Sequence, residues 1–79
     1  MVILVIKEKI YRIKTDDFIY VKAIVFETNP FSIEMIPTID ITEAGWYEEE
    51  KAKKYCEDLN NNKLYKENNI KFTLEEVIR

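Results

Sequence analysis

A chain of 79 residues with one glycine, Gly45, and two prolines has little material for loops. Glycine and proline are the residues that irregular, turn-rich scaffolds lean on. Most of this chain must therefore lie in helices and strands. Its 47% apolar content, rich in Ile, Phe and Tyr, is that of a globular protein and argues against intrinsic disorder. The length fits a single domain, residues 1–79, with one modest core.

The first third reads as a β-hairpin. Val2 to Lys14 and Phe18 to Thr28 are both rich in Val, Ile and Tyr, and Thr15-Asp16-Asp17 between them can turn the backbone. Asn29-Pro30 stops the second strand. Phe31, Ile33 and Met35 alternate with Ser32 and Glu34, which predicts a third strand ending at Pro37. Ala52, Tyr55, Cys56 and Leu59 recur at helical spacing. They predict a helix from about Tyr47, preceded by a short turn near Asp40–Ala44 and a break at Gly45-Trp46, and stopped by Asn60-Asn61-Asn62. At the C-terminus, Ile70, Phe72 and Leu74 alternate as in a half-buried strand, although Thr73 to Glu76 also spells a helix capping box.

The order β-β-β-α-β predicts an α+β fold: a small antiparallel sheet with one amphipathic helix on one face. Ile19, Val21, Ala23 and Val25 are the expected floor beneath Ala52, Tyr55, Cys56 and Leu59.

The longest aliphatic run, Val2 to Ile6, is far shorter than the roughly 20 residues of a membrane-spanning helix. It also lacks the features of a signal peptide. The single cysteine, Cys56, cannot form an internal disulfide. A cytoplasmic setting without membrane contact is the expectation.

Catalytic residue types are scarce. There is no histidine, so the commonest general base and zinc ligand are missing. Cys56 falls on the core face of the predicted helix, one glycine cannot build a phosphate loop, and Ser32 is the only serine. Carboxylates occur as sequence neighbours that diverge on a helix, and Glu48 to Glu50 suit the helix start, with Lys51, Lys53 and Lys54 in pairing range. No enzyme, cofactor or metal site is expected.

Charge is distributed unevenly beneath the net −3: residues 27–50 hold seven acidic side chains and no basic one. Once Glu48 to Glu50 are assigned to the helix start, Glu27, Glu34, Asp40 and Glu43 remain as candidate contacts for a protein partner. Trp46 is expected to close the core beside the helix break; the alternative is an exposed anchor for a partner. A second surface depends on hairpin register. With a two-residue turn, Tyr11 lies opposite Lys22 and Ile13 opposite Tyr20. Lys7, Lys9, Tyr11, Phe18, Tyr20, Lys22 and Phe26 would then share a face suited to single-stranded nucleic acid. The acidic total weighs against nucleic acid. A homodimer through an exposed strand edge is a third option.

The stretch Thr38-Ile-Asp40-Ile-Thr-Glu-Ala44-Gly-Trp46, followed by Glu49 to Asn60, resembles a pattern in small uncharacterised proteins of phages and mobile elements of AT-rich Gram-positive bacteria. Ten lysines against two arginines suit such a source. The resemblance implies no catalytic residues. It implies a compact module that binds a host or self protein, in the manner of phage inhibitors of restriction or CRISPR defence.

Overall fold

The computed structural model describes residues 9–15 and 18–78. Val2 to Glu8 of the expected first strand, Lys7 among them, and the turn residues Asp16 and Asp17 lie outside the described residues. Among the described residues, five antiparallel strands form one sheet: β1 (Ile10–Thr15), β2 (Tyr20–Thr28), β3 (Phe31–Thr38), β4 (Tyr47–Glu48) and β5 (Phe72–Glu76). A 3-10 turn (Ile41–Glu43) precedes β4, and two helices, α1 (Glu49–Asn60) and α2 (Lys63–Glu67), pack on one face. The α+β class and antiparallel sheet agree with the sequence reading. The single expected helix is joined by α2.

β1 is the hub. It pairs with β5 from Tyr11 to Thr15, while β2 and β4 share its other edge, β2 at Lys14↔Tyr20 and β4 at Ile10↔Glu48 and Tyr11↔Tyr47. Because β4 occupies the edge that a longer hairpin would use, β2 leaves β1 early. It runs out with β3 as a two-stranded arm, paired from Tyr20↔Thr38 to Thr28↔Phe31.

Two local features overturn the expected register and floor. Phe18 takes a left-handed backbone (φ 60°), and Thr15 N donates to Ile19 O at 2.8 Å. Three residues thus separate the bonded Thr15 and Ile19, and Lys14 rather than Ile13 faces Tyr20. A residue with positive φ is the usual end of a three-residue hairpin loop. Further on, the β2–β3 register shifts between Val21 and Ala23, leaving Lys22 as an extra residue in a β-bulge. A bulge inverts the alternation beyond it. Val21 faces the helices, but after the bulge it is Ile24 and Phe26 that do so, while Ala23 and Val25 turn to the open face. Ile19 is half-buried at the turn, outside the core.

The core holds Ile13, Val21, Ile33, Ala52, Cys56, Leu59 and Phe72, with Ile24, Met35, Tyr47, Tyr55 and Tyr65 packed around much of it. Ala52, Cys56 and Leu59 are the buried stripe of α1, at the spacing the sequence showed. Burial of each large member contributes about 1.5–3 kcal/mol.

The helix boundaries also differ from expectation. Tyr47 and Glu48 are strand, and Glu49 and Glu50 form the acidic first turn of α1. Asn61 ends α1 in a right-handed conformation; the left-handed asparagine is Asn69 (φ 58°), after α2. Asn62 starts α2 by accepting from the Leu64 and Tyr65 amides at 2.9 and 3.2 Å. Thr73 to Glu76 are strand, so the capping box is not used.

Candidate functional site

Side chains close part of each outer edge of the sheet, on β5 and on β3. Asn60 Oδ1 accepts from Phe72 N at 2.7 Å and its Nδ2 donates to Phe72 O at 3.0 Å, so one amide occupies the edge of β5. On β3, Asn62 Nδ2 donates to Ile33 O at 2.6 Å and Met35 N donates to Tyr65 Oη at 3.0 Å. Pro37 continues that edge and has no N–H to offer.

The base of the open face is held by charge. Glu75 bonds Arg12 at 2.7 Å and Lys14 at 2.8 Å, and Arg12 lies 5.9 Å from the centre of the Tyr20 ring. The Lys14 contact, joined by Arg12, holds the Glu75 carboxyl below its usual value. Glu75 in return raises the Lys14 ammonium.

Beyond this base the arm is largely uncovered. Val25 and Ile36 are 48% and 46% exposed on the open side, and Phe26 and Phe31 are 50% and 62% exposed on the helix side. Phe26 meets α1 at Tyr55, with ring centres 6.0 Å apart. Glu27 pairs with Ser32 and Glu34 with Val25, which makes the two carboxylates diagonal neighbours on the open side. Between Ala23 and Glu50 no residue is basic.

The other two expected acidic contacts are separate from these and have local work. Asp40 caps the 3-10 turn, accepting from Thr42 Oγ1 at 2.7 Å and Thr42 N at 2.9 Å, and these bonds lower its carboxyl from the usual value. Glu43 accepts from Thr38 Oγ1 at 3.0 Å and lies 3.8 Å from Lys22 Nζ. The four acidic residues thus form two pairs, one on the arm and one at its base.

Trp46 does not close the core: it is 54% exposed. Tyr47 takes that place, packing edge-on against Tyr55 with ring centres 5.5 Å apart. Alternation along the run puts Trp46 on the opposite side of the backbone. The Lys/aromatic face is also divided. Tyr11, paired with Tyr47, and Phe26 belong to the helix side, while Tyr20 lies with Arg12 on the open side. Lys22 is the bulge residue beside Glu43, Phe18 sits in the turn, and Lys9 precedes β1. The one-residue register change and the bulge account for this division.

Among the described residues no three His, Cys, Asp or Glu side chains converge as metal ligands. Cys56 is buried, its thiol is raised by burial, and Sγ donates to Phe72 O at 3.2 Å. A cleft of about 210 Å³ between the hairpin turn and the α2–β5 connection is walled by Thr15, Ile19, Met35, Pro37 and Ile70, with Lys71 as its ionisable residue. No described helix is long and apolar enough to cross a membrane.

The apolar arm is the feature that sequence reasoning missed. Val25, Phe26, Phe31 and Ile36 were legible as strand residues, but only the early departure of β2 from β1 leaves them uncovered. Compared with known proteins, the chain matches no family model, no curated protein and no solved structure.

Proposed function

We propose that this chain is a non-catalytic protein-binding module that engages its partner through the β2–β3 arm. The supporting observation is the exposure of four large apolar residues, Val25, Phe26, Phe31 and Ile36, on one two-stranded projection. A ribbon of this kind gains little stability by itself. Apolar residues concentrated on it fit a surface that becomes buried on binding. Glu27 and Glu34 supply a charged rim that selects a basic partner surface, and Trp46 is a second, separate anchor. An inhibitor of host defence, the form implied by the resemblance over residues 38–60, needs only such a surface, and a cytoplasmic host protein would be its target.

The test is capture with tagged protein. A Val25→Ser/Phe31→Ser/Ile36→Ser variant is expected to keep its circular dichroism and cooperative melting while losing the partner held by the wild type. Glu27→Lys/Glu34→Lys is expected to weaken capture and its dependence on salt. Unchanged capture by the folded apolar variant would refute the arm as the binding surface.

A further inference from the structure

The direction of the backbone groups in the arm can be followed from one strand to the next. In an antiparallel pair, residues opposite one another either exchange both ladder bonds or both point them outward. Ile33 O and Met35 N are bonded by Asn62 and Tyr65, so these β3 residues point away from β2. Their partners across the pair, Phe26 and Ile24, must point away from β3. Thr28, two residues on from Phe26, does the same.

The edges are treated differently. β3 is closed at Ile33, Met35 and Pro37, and β5 is closed at Phe72, which leaves Leu74 and Glu76 beyond the Asn60 amide. On β2, Gly45 N donates to Val21 O at 3.0 Å, and beyond that point no described residue bonds the outward groups of Ile24, Phe26 and Thr28. This edge, bonded by no described residue, carries Phe26 on the helix side and Val25 and Glu27 on the other, with Phe31 and Glu34 one strand further back on β3. A strand laid against it would set alternate residues against the aromatic side and the acidic side. Opposite charges across neighbouring strands are favourable and like charges are not.

We infer that the edge of β2 from Ile24 to Thr28 accepts an extended partner segment of alternating apolar and basic residues as an added strand. The inference rests on the reading of the arm as the binding surface and specifies how it binds. Backbone bonds to Ile24, Phe26 and Thr28 supply register, Phe26 receives apolar side chains, and Glu27 selects Lys or Arg.

The experiment uses the full chain, isotope-labelled, with a peptide of about ten residues alternating lysine and valine. Saturating peptide is expected to slow amide exchange at Ile24, Phe26 and Thr28 by about ten-fold or more, with little change at Val25 and Glu27, already in the ladder. A glutamate–valine peptide should give no protection. Thr28→Pro removes one outward N–H at an edge position and should weaken peptide affinity about five- to ten-fold. Absence of protection in the wild type overturns the inference whether or not the proline variant folds. So does equal protection by the glutamate–valine peptide. Protection present before peptide is added, or rising with protein concentration, also overturns it, because the edge would then be filled by the chain itself or a second copy. If the apolar arm variant loses its captured partner while these amides stay unprotected, strand addition fails and the arm reading stands.

Discussion

The side chain of Asn60 completes the edge of β5 at Phe72, accepting from its N–H at 2.7 Å and donating to its carbonyl at 3.0 Å. One amide at the end of α1 thereby stands in for a neighbouring strand. It ties the helix to the sheet above Phe72, itself 3% exposed.

Asn60→Ala is expected to lower stability by about 1–3 kcal/mol, the usual cost of stranding a buried polar group. The Cys56 thiol still reaches Phe72 O at 3.2 Å, so the stranded group is chiefly the Phe72 N–H. Urea unfolding of the two proteins measures the difference. Asn60→Asp keeps the acceptor but turns a carboxylate oxygen toward the Phe72 carbonyl, and should be weaker than wild type at neutral pH.

The bulge at Lys22 predicts a contrast between adjacent residues of β2. Val25→Ser, on the open face, should change stability by no more than about 0.5 kcal/mol. Ile24→Ala, packed against the core, should cost about 1–2 kcal/mol, and Leu59→Ala, fully buried, about 2–5 kcal/mol. Val21→Asp or Leu59→Asp should abolish cooperative melting. Equal sensitivity at Val25 and Ile24 would mean that β2 does not shift its alternation.

These residues also show what can be read without coordinates. The stripe Ala52, Cys56 and Leu59 was legible because a helix face depends only on spacing, which no distant residue can alter. Strand faces are different. Two backbone events, the positive φ at Phe18 and the extra residue at Lys22, each invert the pattern downstream, and neither residue type announces them. Among the described residues, the unbonded edge and exposed arm of β2 arise from β4 taking part of β1, a pairing between residues 36 or more positions apart. Helix α2 escaped notice because five residues carry too little periodicity, although Asn62 two residues before Leu64 was its capping signal.

Gly45 is expected to resist replacement. A Cβ there would lie 2.7 Å from Tyr47 Oη and 3.0 Å from Lys22 O. The Tyr47 side chain is held by Tyr55, and Lys22 O is backbone at the bulge, so neither moves freely. Gly45→Ala should cost about 1–3 kcal/mol through overpacking. Removing the hydroxyl in Gly45→Ala/Tyr47→Phe relieves the shorter contact but leaves the carbonyl, so thermal melts should show partial recovery. Full recovery, or no loss in the single variant, would contradict the close packing at this corner.

The Glu75 cluster predicts a loss of stability at both ends of the pH scale. Bonding to Lys14 and Arg12 lowers the folded Glu75 carboxyl from 4.5. Its contribution is therefore complete above about pH 4.5 and disappears as the pH falls through the lower folded value. Lys14 is raised from 10.5 by the same carboxylate, so its contribution is present below about pH 10.5 and is lost as the pH rises through the folded value. Glu75→Gln should reduce the acid slope and remove the alkaline slope that Lys14 owes to Glu75. Some acid dependence must remain, because Asp40, bonded to Thr42, is also lowered. Lys14→Gln, with Arg12 still paired at 2.7 Å, should remove only the Lys14 share of the alkaline slope, because Lys53, Tyr47 and Cys56 are also raised, and only part of the acid slope. Urea midpoints measured from acid to alkaline pH for the three proteins distinguish these outcomes. An unaltered acid slope in Glu75→Gln would show that the cluster does not form in solution.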